Sequence, residues 1–176
     1  MPFHSVEHTK DVYNYTKTIA QYEEVYGAEL DPVLIAALFH DTGMAETYID
    51  HEEQSAIYAR EYLKKVKYPE EKIKVVVNCI MATKMPQNPK TKAEKIICDA
   101  DLYHLGIESY LFKNERLRVE WENFFNRFYT DEEWYALNVD FLKNQKYHTW
   151  FGKTVLKNRK EMNYKVLLER HEKYKV

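Results

Sequence analysis

The sequence is short of the residues that break regular structure: its 176 residues include 4 Gly and 5 Pro. Both punctuate turns and hairpins, so their scarcity argues against a sandwich or barrel and in favour of helices. Cysteine is nearly absent. Cys79 and Cys98 lie in apolar runs with no paired metal spacing, which predicts reduced core thiols of a cytoplasmic protein, not a disulfide framework. No run approaches the roughly 20 apolar residues that a membrane helix needs. The opening Met1-Pro2-Phe3-His4 lacks a basic-then-apolar signal pattern. An excess of one charge sign is missing as well, with 26 Lys+Arg interleaved among 28 Asp+Glu for a net charge of −2. That gives no general case for nucleic acid or an anionic membrane as partner, though it leaves room for a local basic pocket.

Aromatic residues are plentiful: 15 Tyr, 8 Phe and 3 Trp. Such side chains cover helix–helix seams while leaving a polar tip wet, or stack on a base. The length fits one domain, 1–176, able to bury its core without staples.

Hydrophobic spacing predicts an all-α, single-domain helical bundle. A first helix is expected from about Ser5 to Tyr26, closed by Gly27, with Val12, Tyr15, Ile19, Tyr22 and Tyr26 on its buried face. Asp31-Pro32 supplies an N-cap followed by proline at the first helical position. Val33 to Phe39 is apolar all round, which places the second helix at the centre. Further helices are expected over Glu52 to Val66, Glu70 to Met81, Thr91 to His104, Ile107 to Phe128, Asp131 to Asn144 and Trp150 to Tyr174. Met85 to Pro89 is the clearest loop.

The chemistry starts at His40-Asp41, delivered by a seven-residue apolar run. An ionised carboxylate in a core costs several kcal/mol unless a cation meets it. A divalent ion is one answer, and a helix end emerging into solvent is the other. Near the N-terminus, His4 and His8 stand four apart, on one face of a helix start. Downstream, Asp99 and Asp101 interrupt the run from Ile96 to Leu102, and on a helix these two acids face different directions. Imidazole and carboxylate together suit iron, manganese, zinc or nickel, whereas magnesium alone prefers oxygen ligands.

The order His8, His40-Asp41, Asp101 resembles the HD-domain superfamily of metal-dependent phosphohydrolases. The likeness extends over Ala36 to Asp41, His51 to Ala56, Ala82 to Lys84, Asp99 to Leu102 with Leu105-Gly106, and the last helix with Asn158-Arg159 to Asn163. It covers roughly residues 3 to 170. The resemblance implies that His8, His40, Asp41 and Asp101 ligate one divalent ion (Mn, Fe, Ni, Zn or Mg) and that a water on that ion attacks a small phosphoester, a nucleotide first among them.

On the same resemblance Asp41 also accepts a hydrogen bond from the water, and Glu52 positions or deprotonates it. His4, His51 and Lys84 are expected to contact substrate, His4 as proton donor to the leaving oxygen and Lys84 as a point charge for phosphate. Plainer roles are open to each: acids at a helix start complement its dipole, and a lysine at a helix end is ordinary. Two metals would need two further histidines between His40-Asp41 and Asp101, where only His51 lies, so one ion is expected. A di-iron oxygenase and a non-catalytic nucleotide-binding regulatory module are the rival readings. Relatives usually carry a helix ahead of the first histidine. A neighbouring chain supplying that cover would make the protein a homo-oligomer.

Overall fold

The computed structural model describes residues 1–174, leaving 175 and 176 of the expected domain outside the described residues. It contains eight α-helices and, among the described residues, no strand: α1 Val6–Tyr22, α2 Gly27–Phe39, α3 His51–Lys65, α4 Glu70–Ala82, α5 Lys92–Asp101, α6 Tyr110–Phe125, α7 Asp131–Asn144 and α8 Lys157–Glu172. Short 3₁₀ turns follow α2 (Thr42–Ala45) and α5 (Leu102–Gly106), and a π-helical turn, Gly152–Leu156, leads into α8. No helix is long and apolar enough to cross a membrane among the described residues.

The central position expected for the second helix is observed. α2 packs against α1, α3, α4 and α5, and its Val33, Ala36 and Ala37 are fully buried. Its start differs from expectation. Gly27 does not close α1; it opens α2 in the left-handed region at φ +51, after α1 has ended at Tyr22. Pro32 therefore lies inside α2, not at its first position. Only the bond it would have made to Ala28 is lost, near a helix start where that carbonyl meets solvent. The buried stripe of α1 is correspondingly narrower than expected. Val12, Thr16, Ile19 and Ala20 are buried, whereas Tyr22 and Tyr26 are more than half exposed. Tyr15 is partly buried and stacks on Tyr103 at 3.9 Å.

Cys79 and Cys98 are buried free thiols. Burial, with Glu94 nearby, pushes the Cys79 thiol up to about 12, so it stays protonated. Capping boxes begin α5 (Thr91 with Glu94) and α7 (Thr130 with Glu133). α6 lies across the N-terminal end of α1 through polar contacts, Lys113 to Asp11 at 2.7 Å and Arg116 to Glu7 at 3.1 Å.

Candidate metal centre

His8 belongs to the buried stripe of α1: positions 8, 12, 16 and 19 recur at spacings of four, four and three, so the imidazole enters the core where an apolar residue would. Ser5 caps this helix, its Oγ accepting the His8 N–H. His4 therefore precedes α1 and does not share a helix face with His8 as the spacing had suggested.

His40 follows directly on α2 and continues its bonding through its N–H to the Ala36 carbonyl at 2.9 Å. Its ring Nδ1 lies 2.8 Å from the Ala37 carbonyl oxygen. A carbonyl only accepts, so Nδ1 carries the proton and Nε2 presents a lone pair. That Nε2 is 3.1 Å from Asp41 Oδ2 and 3.7 Å from Asp101 Oδ1. His8 Nε2 is 3.4 Å from each of the same two oxygens. The donor atoms of His8, His40 and Asp41 all lie within 4.8 Å of one another. Asp101 completes the ring from α5.

Despite this proximity, Nε2 of His8, Nε2 of His40 and Oδ2 of Asp41 are buried with no hydrogen-bond partner. Unpaired buried polar atoms cost about 1–3 kcal/mol each, so three facing one another call for something between them. Two ligands at right angles on an ion with bonds of about 2.1 Å stand about 3.0 Å apart, close to the observed spacings. The donor set fits a divalent ion. Without one, burial opposes charging of His40, but the carboxylates of Asp41 and Asp101 outweigh it and raise the imidazole above its ordinary value. Proton and metal thus compete for one position.

The 3₁₀ turn behind Asp101 is fastened from two sides. Asn163 of α8 donates to the carbonyls of Leu105 (2.8 Å) and Ile107 (2.9 Å), and the Tyr147 hydroxyl donates to that of Leu102 (3.1 Å). Asp99 turns away from the site. It accepts the N–H groups of His148 and Thr149, each at 2.8 Å, and the Thr149 hydroxyl at 2.6 Å.

The remaining expected residues line a cavity of about 590 Å³ that opens on Asp41 and Asp101. His51 begins α3 with Nδ1–H donated to the Tyr48 carbonyl at 2.9 Å, leaving Nε2 3.3 Å from the far oxygen of Asp41. Glu52 is buried in the cavity wall, Oε2 3.6 Å from His51 Nδ1. It lies beside the four-residue cluster, not in it. Lys84 also lines the cavity, but its Nζ is committed to Asp50 at 2.6 Å and Glu53 at 2.8 Å. The His4 ring stands 5.8 Å from that of His8 and 6.3 Å from that of His51.

Several participants were not foreseen. Glu120 of α6, fully buried, binds His4 Nδ1 and accepts the backbone N–H groups of Phe3 (2.8 Å) and His4 (3.0 Å). It holds Phe3 over the site, where the phenyl ring packs 5.1 Å from both His8 and His104. Burial, with His8 beside it, pushes His104 down to about 4, so it is neutral in the wall. Arg127 and Trp121 line the same cavity. A glutamate inside the charged run of α6 carries no sequence signal that separates it from a solvated one.

Comparison with known proteins points to one family. The family model of the HD domain matches residues 5–106, which contain all four converging residues. No functionally curated protein matches the chain. Among solved structures, it is similar to a predicted HD superfamily hydrolase from an uncultured Thermotogales bacterium. The two are 25% identical with a TM-score of 0.56, over 81% of this chain and 79% of that one. His8, His40-Asp41 and Asp101 thus fall inside a matched stretch longer than half the sequence, and the chain belongs to the HD domain family.

Proposed function

We propose that the protein is a metal-dependent hydrolase of a small phosphoester, using one divalent ion held by His8, His40, Asp41 and Asp101. The observation that carries this reading is the meeting of imidazole and carboxylate atoms of His8, His40, Asp41 and Asp101 beside a cavity, with those of His8, His40 and Asp41 buried and unpartnered. The likeness to the predicted Thermotogales hydrolase supports the reaction class. Nucleotides as substrates rest on the family resemblance alone.

A divalent ion bound there would acidify a water and draw charge off a phosphoryl oxygen. The chain's own residues then have distinct tasks. The Ala37 carbonyl fixes the His40 tautomer. Asp41 turns Oδ2 to His8 and His40, and its Oδ1, which faces His51 Nε2 at 3.3 Å, would also accept a hydrogen bond from the attacking water. Glu52, buried in the same wall, accepts its proton. His4, with Nδ1 engaged by Glu120, has Nε2 to protonate the leaving oxygen. Lys84 contacts phosphate only by exchanging Asp50 or Glu53 for it.

The test is elemental analysis of the purified protein joined to a phosphoester hydrolysis screen across several divalent ions. One ion per chain with metal-dependent turnover is expected. One observation favours the oxygenase reading: His51 faces the second oxygen of Asp41, where another ion's ligand would stand. Two irons per chain, and substrate loss that requires oxygen, would favour it. Tight nucleotide binding without turnover would favour a regulatory module.

A further inference from the structure

The far wall of the metal-side cavity lies beyond residue 106, where the family match ends. It is built by α6, α7 and the turn between them, through Tyr110, Leu117, Trp121, Trp134, Leu137 and Phe141. Its polar atoms are largely committed to one another. The Trp134 indole N–H donates to Asn114 Oδ1 at 2.8 Å, and that of Trp121 to the Tyr48 hydroxyl at 2.6 Å. Asn114 Nδ2 donates to the Tyr110 hydroxyl and to Asn138 Oδ1, and Asn138 Nδ2 donates to the Trp134 carbonyl at 2.8 Å. What the α6–α7 wall presents to the cavity is ring and methyl surface, with one amide hydrogen of Asn138 left over and, beside it, the hydroxyl hydrogen of Tyr48.

The rim adds one uncommitted cation. Asn126, left-handed at φ 51, ends α6 and turns the chain back so that the Arg127 guanidinium lies over the Trp121 ring at 5.5 Å. Among the described residues no carboxylate lies within 4.0 Å of it, whereas Lys84 has two.

We propose that this wall is the leaving-group subsite and that it takes the apolar, ring-bearing alcohol of a phosphomonoester, with Arg127 as the single rim cation for its phosphate. The inference rests on the phosphohydrolase reading and narrows its substrate. Apolar surface gains free energy on leaving water for such a wall. The edge of a nucleobase, or the hydroxyls of a ribose, would find amides and indoles already spent and be stranded without hydrogen-bond partners. A polyphosphate would bring more charge than one arginine answers.

The test compares esters of primary alcohols, so that leaving-group basicity is matched: benzyl and cyclohexylmethyl phosphate against nucleoside 5′-monophosphates, with saturating divalent ion. The ring esters should lead in kcat/KM by about tenfold or more. Leu137→Asn, at a 40% exposed wall position, should erode that preference while leaving metal content and helicity unchanged. Equal or better turnover of the nucleotides overturns the subsite and leaves the phosphohydrolase reading standing. Calorimetry with 2-phenylethylphosphonate, which cannot be hydrolysed, separates the other failure. If no ester is turned over but the phosphonate binds, and binds more weakly to Leu137→Asn, the subsite stands and the reaction class falls. Absence of phosphonate binding overturns the subsite.

Discussion

At the scale of single residues, the site was legible where a polar side chain interrupts an apolar run. His40-Asp41 and Asp101 are conspicuous because burial makes an unpaired charge expensive, and the structure brings both carboxylates within 3.4 Å of His8 and within 3.7 Å of His40. Residues whose neighbours are also polar were illegible. Nothing in the sequence around Glu120, Asn114 or Arg127 separates a functional side chain from a solvated one. Glu52 and Lys84 show how position divides residues that the sequence ranks together. Glu52 is buried beside the cluster, so Glu52→Gln should retain metal yet lower kcat by about 10²–10⁴-fold. Parental kcat in that variant would remove Glu52 from the proton path. Lys84 is already neutralised by two carboxylates, so Lys84→Gln should change KM for a phosphoester by less than Arg127→Gln does; steady-state kinetics of the two variants decides it.

At the scale of elements, the long apolar helices were readable from spacing, and their ends less so. Gly27 illustrates why. A glycine at positive φ can close one helix or open the next, and only packing decides between them. α6 carried little periodic signal because one face meets α1 through Lys113 and Arg116 and the residues ahead of α1 through Glu120, while another meets the cavity through Asn114, Leu117 and Trp121.

The tie from Glu120 to Phe3 and His4 makes a measurable demand. Burial opposes the Glu120 charge, but His4 and two backbone N–H groups outweigh it and hold its pKa below the ordinary glutamate value. A depressed carboxylate stabilises fully above its unfolded pKa of about 4.3 and loses that contribution as pH falls through the folded value. Glu120→Ala should therefore cost about 3–5 kcal/mol near neutrality, with the gap to wild type closing below about pH 4, in denaturant titrations at a series of pH values. A gap that stays constant with pH would mean that the contribution is packing, not charge.

Gly43 is a second such point. Its N–H donates to Ser55 Oγ at 2.8 Å, and a Cβ there would overlap the His51 carbonyl oxygen. Gly43→Ala should displace the start of α3, carrying His51 and Glu52 away from Asp41, and reduce activity more than it reduces helical content by circular dichroism. A variant with full activity would show that the connection yields without moving them.

At the scale of the whole molecule, the all-helical class followed from scarce glycine and proline and from runs of helical period. The arrangement that matters for function is that α1, α2 and α5 each deliver a ligand-type side chain to the same buried point, so the ion would tie the bundle together. An ion that binds only the folded chain stabilises it by about 4 kcal/mol at a thousandfold excess over Kd. In a chain of this size that is on the order of 10 °C in Tm, and chelation should reverse it.

The most direct measurement is the divalent-metal content per chain of the wild type, Asp41→Ala and Asp101→Ala by mass spectrometry of elements, each checked for helicity. One ion per wild-type chain is expected, with loss of metal and of phosphoester hydrolysis in both variants while the helices remain. Equal metal content in either variant, or hydrolysis at the parental rate, would contradict the assignment of these residues to the site.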